Sequence, residues 1–95
     1  MKAILCKSYG PPENLVLEEV QDLNPKEGEA LVDVHSAALN FPDTLQIAGE
    51  YQYQPPLPFI PGSEAGGVVI ELGPNIKGFE IGDRVMAIPG VGAMA

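Results

Sequence analysis

From Glu50 to Gly62 the chain reads EYQYQPPLPFIPG, and no regular element tolerates that spacing of proline. Each proline removes a backbone donor and fixes φ, so Pro55, Pro56, Pro58 and Pro61 exclude both a helix interior and a central strand. The stretch is a loop. Interleaved with the prolines are Tyr51, Tyr53, Phe59 and Ile60, which are buriable, so a disordered linker competes with a shaped surface. Hydrophobic residues make up 45% of the chain and charged ones 19%, which is globular composition and outside the range that keeps chains unfolded. The loop reads as part of a folded surface.

Short extended segments surround it. MKAILCKSY alternates as a strand and stops at Gly10-Pro11-Pro12, and Asn14 to Val20 forms a second. Asn24 to Gly28 has turn chemistry. From Ala30 to Ala38, one face carries Ala30, Val32, Val34, Ser36 and Ala38 and the other Leu31, Asp33 and His35, the period of a strand with one face on a core. Asn40 then caps a short helix with Pro42 and Asp43 in its first turn and Gly49 at its left-handed stop. Val68 to Leu72 is a β-branched strand, turns follow at Gly73-Pro74-Asn75, Gly78 and Gly82-Asp83, and a last strand runs from Arg84 to Ile88. Strands at this spacing predict a mainly β fold, an antiparallel barrel or sandwich in one domain over 1–95.

Charge and residue usage narrow the function. Thirteen acidic residues against five basic give a net charge of −8, a field that repels nucleic acid and anionic membranes. Cys6 and His35 are the only residues of their kinds, so no intrachain disulfide forms and neither a structural nor a catalytic zinc set can be assembled from nitrogen and sulfur alone. Both lie in predicted strands and are expected to pack and not to react. No window approaches the length of a membrane span and no signal-type core follows Met1-Lys2, so a cytoplasmic location is expected. GSEAGGVV lacks the dinucleotide-binding spacing and leads into a strand; Gly66 and Gly67 are read as serving close packing. Asn40, Asp43, Tyr51, Tyr53, Ser63 and Glu64 remain as polar groups flanked by glycines, a setting in which a flat ligand can approach.

Four blocks, NFPDTLQIAGEY, PxIPGSEAGGVV, ELGPNI and FEIGDRV, stand in an order and spacing that resembles the zinc-independent quinone oxidoreductases of the medium-chain dehydrogenase/reductase superfamily. The resemblance spans essentially the whole chain. It implies a GroES-like, partly open antiparallel β-barrel with a short helix, here incomplete. In zinc-dependent relatives of that superfamily a cysteine stands at the position of Asn40 and a histidine at that of Ser63, while Asp43 and Glu64 match; the resemblance therefore implies no zinc.

By the same resemblance, NADPH would deliver hydride to a quinone or activated enone, and hydrogen-bond donors would stabilise the developing charge. Asn40 and Tyr51 match catalytic positions, Asn40 and Asp43 nicotinamide-side positions, and Asp43, Ser63 and Glu64 substrate-side positions. Tyr51 reads equally as a half-buried loop aromatic. Leu45 stands where many family members have a tyrosine. The family continues into a Rossmann domain that is absent here, so the 95 residues are expected to be an N-terminal piece that is inactive alone, and the intact protein is expected to be a homodimer. An enoyl-thioester reductase domain and a non-enzymatic GroES-like interaction module are the alternatives.

Overall fold

The computed structural model describes every residue from Met1 to Ala95. Five strands and one helix form in the order β1 (Lys2–Leu5), β2 (Val16–Glu19), β3 (Ala30–Ala37), α1 (Phe41–Ala48), β4 (Ala65–Leu72) and β5 (Arg84–Ala87), with a 3-10 turn at Pro12–Asn14 between β1 and β2. The mainly β expectation holds. β1 and β2 pair antiparallel from Lys2 opposite Glu19 to Leu5 opposite Val16, and β3, β4 and β5 make a second antiparallel sheet in that order. The two sheets do not close on each other, as an incomplete barrel requires.

The first predicted strand is shorter than its alternation suggested, because at Cys6 the backbone leaves β2 and turns to the proline loop. Cys6 and Phe59 exchange N–H···O bonds of 2.8 and 3.1 Å in an isolated bridge. Beneath it Cys6, Ile47 and Phe59 are buried together, with Leu15 and Val91 packed against them. A fully buried side chain the size of Phe59 or Ile47 contributes roughly 1.5 to 3 kcal/mol relative to exposure. The loop's far side is held by the C-terminal segment: Gly92 N–H donates to Ile60 O at 2.7 Å, Ala93 to Gly62 O and Met94 to Pro61 O at 3.1 Å, and Ile4 N–H donates to Met94 O at 3.0 Å. Pro55 and Pro61 are buried, and the Tyr9 hydroxyl donates to Pro55 O at 3.4 Å. A loop anchored along both sides is a wall, not a linker.

β4 begins three residues earlier than Val68, running through Gly66 and Gly67. The close-packing reading of these glycines explains why. A Cβ on Gly67 would collide with the Asp33 carbonyl oxygen and stand 2.8 Å from Val32 Cγ1, and one on Gly66 would stand 3.2 Å from Ser36 Oγ. At position 67 only glycine lets β4 lie against β3, in a stretch where register shifts fall between Leu31 and Val32 and between Val34 and Ser36.

His35 corrects the sequence reading. Its alternation partner Asp33 and the imidazole itself are both exposed on β3, with His35 Nε2 3.3 Å from Asp33 Oδ2. The face they share is the solvent face, so His35 does not pack. Cys6 does, at 1% exposure.

Candidate functional site

The start of α1 is built by its own sequence. Asn40 sits in extended backbone at φ −122° and ψ 156°, Pro42 occupies the first turn, and Gly49 ends the helix at φ 77°. The Asn40 N–H donates to Asp43 Oδ2 at 2.9 Å, and the Asp43 N–H donates to the Asn40 carbonyl at 3.0 Å. This reciprocal pair fixes the helix entry.

One Asp43 oxygen is used in that pair and the other is not. Asp43 is 5% exposed, and its Oδ1 is buried with no hydrogen-bond partner. A buried acceptor without a donor costs on the order of 1 to 3 kcal/mol. Asp43 and Asn40 line a cavity of about 270 Å³ whose other walls include Pro12, Leu15, Leu39 and Ile47. The surface the cavity presents is apolar, which suits a flat apolar ring, and the Asp43 Oδ1 lies buried behind it.

Gln46 is the polar residue that sequence reasoning missed. It is 4% exposed and its Oε1 is also without a partner. One helical turn beyond Asp43, it shares the buried face of α1 with Asp43 and Ile47, and that i, i+3 spacing was the only signal in the sequence.

The remaining predicted residues lie elsewhere. Tyr51 is half-buried in the bend after Gly49, and Ser63 is half-buried in the bend before β4. Glu64 is exposed, its carbonyl accepts the Ala38 N–H at 3.2 Å, and it lines a separate groove of about 410 Å³ with Ser36, Ala38, Gly66, Met86 and Ile88. Asn40 and Asp43 are thus brought together, and Glu64 is set on the neighbouring groove, two residues of chain away through Ala38 and Leu39. No three His, Cys, Asp or Glu side chains of this chain converge. Burial pushes the Cys6 thiol above its ordinary value, against a smaller opposing effect of its hydrogen bond to the Ser8 carbonyl. No helix is long and apolar enough to cross a membrane.

Comparison with known proteins places this arrangement. The alcohol dehydrogenase GroES-like domain family matches residues 26–94. Quinone oxidoreductase-like protein 2 of Bos taurus is 40% identical over 94 residues, which are 99% of this chain and 26% of that protein. Acryloyl-coenzyme A reductase of Sulfurisphaera tokodaii is 43% identical over 88 residues, 93% of this chain and 25% of that protein. The crystal structure of Escherichia coli quinone oxidoreductase complexed with NADPH superposes with a TM-score of 0.89 at 36% identity, over 98% of this chain and 28% of that one. The chain spans about a quarter of the length of the curated relatives it matches.

Proposed function

The chain belongs to the family of alcohol dehydrogenase GroES-like domains, and on that premise we propose that it is the substrate-side domain of an NADPH-dependent quinone oxidoreductase that uses no metal. The observation that carries the reading is the paired Asn40 and Asp43 on one apolar cavity, in a chain 36% identical to a quinone oxidoreductase described with NADPH.

The residues present fit the nicotinamide end of that cofactor. Its carboxamide offers N–H donors, and Asp43 Oδ1 is a buried acceptor that has none. They do not fit its phosphates, because five basic residues are scattered among thirteen acidic ones. The pyrophosphate belongs to a second, nucleotide-binding domain. When bound, NADPH supplies a hydride. Asn40 would donate from its amide to the acceptor oxygen on which negative charge builds, and Tyr51, which lies outside the Asn40–Asp43 cavity in the bend after Gly49, would supply a phenolic donor from the substrate side. Asp43 holds the backbone of Asn40 in place, and its Oδ1, which has no partner in the chain, would accept from the nicotinamide amide on a small movement of the helix entry. Ser63 and Glu64 border the substrate side, and the proline loop keeps the cleft wall fixed at low ordering cost. The intact protein works as a homodimer, and the 95 residues alone bind NADPH weakly and do not turn over.

Reduction of an enoyl thioester is the second reading, favoured by the 43% identity to an acryloyl-coenzyme A reductase. Titration of NADPH into the natural gene product that carries these residues, followed by an acceptor panel, tests both. Binding with fastest turnover on a small quinone supports the first; fastest turnover on an enoyl thioester replaces it with the second; absence of NADPH binding overturns both.

A further inference from the structure

Between the helix stop and the Cys6–Phe59 bridge the chain runs without backbone support. Glu50 N–H donates to the Leu45 carbonyl at 2.8 Å and Phe59 N–H to the Cys6 carbonyl at 3.1 Å, and no backbone–backbone hydrogen bond involves residues 51–58. A stretch without such bonds owes its shape to side chains. Two of them tie it. Gln54 Nε2 donates to the Gly49 carbonyl, and the Tyr9 hydroxyl donates to the Pro55 carbonyl at 3.4 Å.

Tyr9 also holds the other end. Gly49 ends α1 at φ 77°, and a Cβ there would stand 2.9 Å from Tyr9 Cγ and 3.2 Å from its Cβ and Cδ1. The Tyr9 ring therefore rests on a face that only glycine leaves open. Gly10 N–H donates to the Ile47 carbonyl at 2.8 Å, which fastens the backbone beside Tyr9 to the last turn of α1. One side chain thus touches both residue 49 and residue 55, and Gln54 draws the same bend together from within. All these partners lie within residues 9–55.

Tyr51 sits inside the braced bend. Its side chain is half-buried, its phenol makes no hydrogen bond within the chain, and it stands outside the Asn40–Asp43 cavity. No polar partner aims the phenol, so the shape of the bend does. We propose that Tyr9 is a positioning residue for Tyr51: by bracing Gly49 and Pro55 it sets the direction from which the Tyr51 hydroxyl meets the substrate oxygen. The inference rests on the enzymatic reading above for the role of Tyr51, and on the geometry alone for the brace.

Tyr9→Phe and Gln54→Met, each removing one tie, are compared with the parent in the natural gene product that carries these residues. Chymotrypsin cleavage after Tyr51 and Tyr53, read without any acceptor, should quicken in both variants, because a loosened loop is cut more readily, while cleavage elsewhere keeps its parental rate. In NADPH oxidation with a small quinone, Tyr9→Phe should lower kcat about tenfold, as misplacement of a reacting group does, with KM for the quinone nearly unchanged. The loss should disappear in a Tyr51→Phe background, where nothing is left to position. Equal loss with and without the Tyr51 hydroxyl is the mark of a general structural role and overturns the inference. Unchanged cleavage at the bend overturns it too, and leaves the role of Tyr51 standing. Quickened cleavage with parental kcat in both Tyr9→Phe and Tyr51→Phe removes Tyr51 as a donor, and the inference with it.

Discussion

Asn40 and Asp43 hold each other through two hydrogen bonds, Asn40 N–H to Asp43 Oδ2 at 2.9 Å and Asp43 N–H to Asn40 O at 3.0 Å. The pair is local in sequence, three residues apart, yet it decides two things. It sets the direction in which α1 leaves β3, and it leaves the second Asp43 oxygen buried on the cavity.

Replacing Asp43 by alanine removes the acceptor that caps Asn40. Loss of such a cap costs about 1 kcal/mol, and for a domain near 100 residues that lowers Tm by about 4 to 8 °C. Thermal unfolding followed by circular dichroism checks the shift. Because the variant also removes the unpaired Oδ1, a shift toward the low end is expected, and Asn40→Asp, which keeps the backbone bond, should melt close to the parent.

Gly67→Ala should be far worse than Gly66→Ala. The first puts a methyl into the Asp33 carbonyl and 2.8 Å from Val32 Cγ1, whereas the second meets only Ser36 Oγ at 3.2 Å, a hydroxyl that can rotate away. Overpacking against backbone costs about 3 kcal/mol. Urea midpoints of the two variants measure the difference directly.

Within the proline loop, Phe59 and Tyr53 should behave in opposite ways. Phe59 is 6% exposed and sits in the core cluster, so Phe59→Ala should cost about 3 to 5 kcal/mol, a large share of the total stability of a small domain. Tyr53 is 57% exposed, and Tyr53→Ala should stay within about 0.5 kcal/mol of the parent. Denaturant titration of both variants distinguishes an anchored loop from a loose one.

The Cys6 thiol should be inert until the chain unfolds. Its burial disfavours the thiolate in the folded state and not in the unfolded state, so the folded chain keeps the proton to higher pH. Protons are then bound more tightly by the native state across the thiol range, and stability falls as pH rises through and above it. Ellman's reagent should react slowly in buffer and rapidly in urea, and the urea midpoint should decline between neutral pH and about pH 10.

The legible parts of this fold were those with local causes. Asn40, Pro42, Asp43 and Gly49 encode both ends of α1 within ten residues, and the proline run excludes other structures wherever it falls. Tertiary causes were not legible in the same way. Gly66 and Gly67 read as close-packing glycines ahead of a strand that starts at Val68, and only the approach of Asp33 and Val32 shows that the strand runs through them. Alternation in β3 separated two faces but did not say that the His35 face meets solvent. The Asn40–Asp43 half of the candidate site follows from helix spacing. The position of Glu64 on a separate groove, and the burial of Gln46, depend on how β4 and α1 pack, which no short stretch of sequence contains.

The measurement that bears most directly on the enzymatic reading is the rate at which the natural gene product carrying these residues oxidises NADPH in the presence and absence of a small quinone, alongside its Asn40→Ala variant. Acceptor-dependent loss of nicotinamide absorbance, with kcat about 100-fold lower in the variant as expected for one lost donor to a developing oxyanion, is the predicted result. No acceptor-dependent oxidation, or an unchanged rate in the Asn40→Ala protein, would contradict it.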